Sequence, residues 1–124
     1  MTVANSDEVL DPGFVQARHG RAVIKIPIEQ ITHFKAAEKY VTAHHAGGEL
    51  LLATPLIEIE ALYGQRLVRI HRNALVARDR LELFRSPCNL RMTPAQVTLT
   101  DVLVPLDVSR RHMPAVRKAV NSKS

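Results

Sequence analysis

The chain has 124 residues, a formal net charge of +5, 46% hydrophobic residues and one cysteine. That length builds a single domain with its own core and is too short for a second. A lone cysteine excludes an internal disulfide and any multi-cysteine zinc site, and no apolar run approaches the ~18 residues that a membrane span needs. The polar, acidic stretch from Met1 to Gly13 lacks the basic start and apolar run of a secretory signal. A soluble, cytoplasmic protein with no membrane partner is expected.

The charge is unevenly spread. Residues 61–124 hold 12 Lys/Arg against 4 Asp/Glu, whereas residues 1–60 hold 5 against 8. A positive half of this kind raises the local concentration of a polyanion before any specific contact forms. Two basic clusters stand out, Arg69-Ile70-His71-Arg72-Asn73 and Ser109-Arg110-Arg111-His112. Each sits where a β-rich pattern breaks into a turn or a helix start. Charge alone leaves a solubilising surface equally open.

In chain order, residues 1–20 show little periodicity and carry Asp-Glu, Asp-Pro-Gly and His-Gly, which reads as a mobile lead or linker remnant with order beginning near Arg21. Strand-length segments follow at 22–26, 31–36, 40–44 and 49–53, and Gly47-Gly48 between the last two signals a hairpin. Thr54 is a suitable helix N-cap and Pro55 suits the first helical position; Leu56, Ile59 and Tyr63 share a face, Glu58 and Glu60 project to water, and Gly64 is the stop. Strands resume at 67–70, 74–77, 80–84, 95–99 and 102–106. The spacing predicts an open sandwich of short antiparallel strands. At the end Ser109 is a candidate cap for a helix whose first turn holds Arg110 and Arg111, although Pro114 either distorts that turn or starts the regular helix. Free N–H groups at such a start also attract phosphate.

Three segments, Gln30 to Val41, Leu67 to Val76 and Val108 to His112, resemble in order the signature segments of the LytTR DNA-binding domain. The resemblance covers about residues 21–121 and is nearest to the output domains of AlgR-type response regulators, through Glu38-Lys39-Tyr40-Val41-Thr42, Arg72 to Arg78 and Ser109-Arg110-Arg111-His112. It implies an all-β, elongated fold of about ten short strands in three antiparallel sheets with two short helices. It also implies a sequence-specific DNA-binding domain of a bacterial transcriptional regulator, whose loops enter successive major grooves. Carried over by position, Lys39, Arg72 and Arg111 are the base-reading candidates. Arginine suits that work because its fork bonds guanine O6 and N7 together.

Phosphate-contact candidates are His71, Asn73, Ser109 and Arg110, short donors of the kind that set register on a duplex without reading sequence. His71 has a second reading, a packed residue that holds the loop's shape. Arg69 alternates with Val68 and Ile70 and is assigned a solvated face or an ion pair, and Arg117 and Lys118 a solvated helix end. The family binds direct repeats, so duplex DNA with a second copy alongside is the expected partner. No receiver region is present in the sequence, so the chain is either an output half whose receiver domain is missing or a stand-alone domain controlled by other means, and the linker-like first 20 residues favour the former.

Two features depart from the family pattern. Lys35 stands where an acidic residue is common, and the stretch from Ser86 to Asp107 is longer than the usual hairpin. No catalytic, cofactor or metal site is expected: His44 and His45, adjacent on a strand, face opposite ways and cannot share one metal, and no paired-carboxylate or phosphate-loop motif occurs. Cys88 is assigned an ordinary loop thiol. The alternative to DNA binding is a protein–protein interaction module docking through the basic face.

Overall fold

The computed structural model describes residues 7–122. Eleven strands and two α-helices occur among the described residues, arranged as three antiparallel sheets. The all-β expectation therefore holds, with one strand more than anticipated.

The first sheet is a meander of β1 (Val9–Asp11), β2 (Phe14–His19) and β3 (Ala22–Pro27). This corrects the expectation that order begins near Arg21; of the predicted lead, only residues 1–6 lie outside the described residues. Weak periodicity hid two tight turns. In one, the Asp11 carboxylate accepts the Gly13 N–H at 2.9 Å. In the other, His19 pairs with Ala22 across a two-residue turn in which Gly20 has φ 64°, a value that costs glycine nothing. Val15 and Ala17, on one face of β2, are fully buried. Glu8 anchors the chain's start from the other side: its carboxylate accepts the N–H groups of Ala53 and Thr54 at 2.8 and 2.9 Å and the Thr54 hydroxyl. Thr54 is thus committed to Glu8 and does not cap the following helix, whose N-cap is Pro55.

The central sheet has the order β6-β5-β4-β8-β7, from β4 (Ile31–Ala36), β5 (Val41–His45), β6 (Gly48–Leu52), β7 (Leu67–His71) and β8 (Ala74–Ala77). The β5–β6 hairpin turns at Ala46 and Gly47, since His45 pairs with Gly48. Helix α1 (Leu56–Tyr63) joins β6 to β7 and buries Leu56, Ile59 and Tyr63, the predicted face. Tyr63 donates its hydroxyl to the Phe14 carbonyl at 3.0 Å, and burial pushes its pKa up to about 12. The third sheet runs β11-β10-β9, from β9 (Leu81–Arg85), β10 (Ala95–Leu99) and β11 (Leu106–Val108), and is followed by helix α2 (Met113–Asn121). Strand β11 begins at Leu106 rather than at Val102.

Two apolar cores result. Val15, Ile26, Phe34, Leu50, Leu52, Ile59 and Leu75 belong to the first, between the first sheet, α1 and the central sheet. Val68, Ile70, Val76, Leu81, Val97, Val108 and Val116 belong to the second, between the central sheet, the third sheet and α2. Successive residues of a strand face opposite ways, so Leu75 enters one core while Ala74 and Val76 enter the other. Burial on both faces explains the uninterrupted apolar run from Ala74 to Ala77.

His33 is buried on the second face, its ring stacked on His44 with centroids 4.1 Å apart and its Nδ1 2.9 Å from the Thr32 hydroxyl. Burial, with His44 and Lys35 beside it, lowers its pKa to about 4.

Two predictions follow from this packing. Deleting residues 1–20 removes Val15 and Ala17 from the first core and the Glu8 anchor, and should cost about 4 kcal/mol or more, read as a fall in the urea midpoint; an unchanged midpoint would return this segment to the status of a linker. For His33, the unfolded ring takes a proton near pH 6.5 and the folded ring near 4. Stability is therefore complete above about 6.5 and falls as pH drops towards 4, by roughly 3 kcal/mol at most. Replacing His33 by Gln should flatten that part of the stability profile in denaturant titrations run from pH 7 to 4.

Candidate nucleic-acid interface

Three turns meet at one end of the central and third sheets. The first joins β4 to β5, closed by the Ala37 N–H on the Tyr40 carbonyl at 2.8 Å, with Glu38 and Lys39 at its tip. The second is Arg72-Asn73 between β7 and β8. The third is a single turn of 3-10 helix, Arg110–His112, that leads into α2.

Backbone hydrogen bonds fix these turns to one another. The Ala36 N–H donates to the Asn73 carbonyl at 2.8 Å, joining the first turn to the second. The Ser109 N–H donates to the Ile70 carbonyl at 2.9 Å, joining the third to the second. The latter bond depends on a β-bulge: β7 and β8 slip register between Arg69 and His71, which takes Ile70 out of the ladder.

Arg69 braces the second turn. Its Nε and Nη2 bond the Glu60 carboxylate at 3.1 and 2.8 Å, and its Nη1 donates to the Arg72 carbonyl at 2.7 Å. The ion-pair reading of Arg69 holds. Glu60 corrects its assignment to open water; it is half-buried and lies on the helix face towards Arg69. No local pattern joins a helical glutamate to a strand arginine nine residues on, so sequence alone could not have paired them.

The candidate residues differ in how free they are. Lys39, Arg72, Arg110 and Arg111 are exposed, and among the described residues their side chains have no hydrogen-bond or ion-pair partner. Asn73 is half-buried and engaged through its carbonyl. His71 is half-buried with Nδ1 turned inward and unpartnered. It lines two grooves, one of about 440 Å³ with Cys88, Ser109 and Arg110, the other of about 270 Å³ with His33, Lys35 and Asn73.

Ser109 corrects the expected helix cap. Its hydroxyl makes no capping bond and lies 2.6 Å from His112 Nδ1. Burial first, then Arg69, Arg111 and His71, lower the His112 pKa, with Glu60 opposing. On the neutral ring the Ser109 proton is free for another acceptor only when Nδ1 itself carries a hydrogen. The helix resolves the question of Pro114, which stands at its first turn, where its missing N–H is harmless. Arg117 covers the Phe84 ring at 5.2 Å.

A family model for the LytTr DNA-binding domain matches residues 21–121. The chain belongs to the LytTR DNA-binding domain family. It is 44% identical over 108 residues to the positive alginate biosynthesis regulatory protein of Pseudomonas aeruginosa, an alignment covering 86% of this chain and 42% of that protein. The chain thus spans less than half the length of that relative. A solved LytTr DNA-binding domain from Bacillus cereus superimposes with a TM-score of 0.73 at 17% identity, covering 87% of this chain and 96% of that one. The LytTR fold of strands in three antiparallel sheets is therefore confirmed.

The brace is testable without any ligand. Glu60→Ala should lower stability by only about 1 kcal/mol, since the pair is partly solvated, yet speed amide exchange locally at His71 to Ala74. Exchange there equal to that of the parent chain would show that the backbone bonds alone hold the LytTR turn.

Proposed function

We propose that this LytTR domain is the sequence-specific DNA-binding part of a bacterial response regulator, with Arg72 and Arg111 reading base edges and Lys39 assisting. The observation that carries this reading is the set of exposed cations without counter-charges on three turns fixed to one frame. Arg18 and Arg80 elsewhere among the described residues, and Arg69 beneath the second turn, are by contrast matched to carboxylates. A free guanidinium on a held turn keeps its fork for guanine and loses little entropy in the contact.

Arg110, beside Arg111, supplies charge to a phosphate, and Asn73, Ser109 and His71 set register on the backbone. For Ser109 and His71 the supporting geometry is mixed, because the first is already bonded to His112 and the second turns one nitrogen inward. Duplex DNA with direct repeats, and a second copy of the domain on the same DNA, are the proposed partners. A receiver domain in the same polypeptide is inferred from the share of the alginate regulator that the alignment covers, and a cytoplasmic location goes with it. No catalytic role is assigned.

The test is selection of duplexes from a random pool, followed by binding measurements at several salt concentrations. Arg72→Ala should weaken binding to the selected motif by about 1–3 kcal/mol while scarcely changing affinity for a scrambled duplex. Arg110→Ala should weaken both alike and make the salt slope shallower by about 1. Equal losses on both duplexes for Arg72→Ala would remove it from base reading. No enrichment over repeated rounds would turn the basic face over to an acidic protein partner.

A further inference from the structure

The connection between β9 and β10, residues 86–94, opens the long stretch from Ser86 to Asp107, and it is not slack. Cys88 and Thr93 pair as a small antiparallel bridge, with N–H to carbonyl distances of 3.1 and 3.0 Å, and the Met92 N–H returns to the Asn89 carbonyl at 3.2 Å. Met92 adopts φ 54°, and Pro87 and Pro94 flank the bridge. A hairpin locked this way has surrendered its entropy before anything binds.

The locked tip displays Leu90 at 97% exposure and Met92 at 87%, with Arg91 exposed between them. Two bare aliphatic side chains on an ordered turn are unfavourable in water and mark a contact surface. The tip also adjoins the candidate interface: Cys88, Asn89, Met92 and Thr93 share the 440 Å³ groove with His71, Ser109 and Arg110. No acidic residue occurs between Ser86 and Pro94, and exposed Arg85 stands at the hairpin's base.

We propose that this hairpin tip is a further DNA contact that enters a minor groove beside the segment read by Arg111, with Arg91 in the groove and Leu90 and Met92 against its walls and base steps. The inference rests on the DNA-binding reading above. A phosphate contact alone would need the cation but not its bare neighbours. An acidic protein partner would be equally served by the tip's charge, but the tip adjoins the turn that carries Arg110 and Arg111. Arginine is drawn to the strong negative potential of a narrow minor groove, and leucine and methionine are among the side chains that wedge between base steps there.

The experiment is hydroxyl-radical footprinting and affinity measurement with the full chain on its selected motif embedded in long flanks, repeated with Arg91→Ala and with the double variant Leu90→Ser/Met92→Ser. The parent should protect one minor-groove stretch beside the Arg111 segment. Arg91→Ala should lose that protection and bind about 5- to 10-fold more weakly, and the double variant should reduce DNA bending in a circular-permutation assay. All three chains should melt alike, because the side chains changed are exposed. An unchanged footprint and affinity for Arg91→Ala on a motif the parent binds would overturn the minor-groove contact alone. Loss confined to cooperativity between two sites would also overturn it and assign the tip to a second copy of the chain. Failure of the parent to bind any duplex would overturn the DNA-binding reading and this inference together.

Discussion

Burial of the central sheet on both faces is the constraint on which the rest of the molecule depends. Strand β8 gives Leu75 to one core and Val76 to the other, and β7 gives Leu67 to one and Val68 and Ile70 to the other. Neither core closes without these two strands. The turn joining them carries Arg72 and Asn73, so a hairpin shared by both cores also presents a principal candidate contact. Fixing such a turn costs little beyond what folding has already required, because its flanking residues are ordered by apolar burial.

Electrostatics at this end of the molecule follow from the same packing. Arg69 is on the half-buried side of β7, where a guanidinium without a partner would be costly; Glu60 and the Arg72 carbonyl satisfy it. That bond turns a half-buried charge into a strut for the adjacent exposed one. Arg72 then projects from a braced backbone with its own fork unused. His112 is kept towards neutrality first by burial and then by Arg69 and Arg111, so its ring adds little further positive charge beside those two arginines.

The sequence disclosed the strands wherever alternation or an apolar run was strong, and it disclosed the three turns because their residues resemble the family's segments in order. Where it failed, the missing information was mostly non-local. Strand β1 has three residues and the turns on either side of β2 are polar, which gives the segment a linker's pattern although Val15 and Ala17 lie inside the first core. Thr54 has an N-cap's chemistry but meets Glu8, 46 residues away in sequence. Ser109 has the same chemistry and instead meets His112. In both cases a short hydroxyl side chain was taken by a strong partner other than the helix N–H groups, remote in sequence for Thr54 and three residues on for Ser109. Glu60 was misplaced because its partner Arg69 lies on another element.

The interface is held by main-chain bonds rather than by its tips. The Ala36 N–H to Asn73 carbonyl, the Ser109 N–H to Ile70 carbonyl and the β-bulge at Ile70 involve no side chain that points outward. A frame of this kind keeps its geometry while the exposed residues at positions 39, 72, 110 and 111 change. This is one physical account of how the fold is kept at a TM-score of 0.73 with only 17% identity to the Bacillus cereus domain. Preference for a base can then drift by single substitutions on a fixed scaffold, whereas a change that fills or removes the bulge at Ile70 would move the second and third turns together.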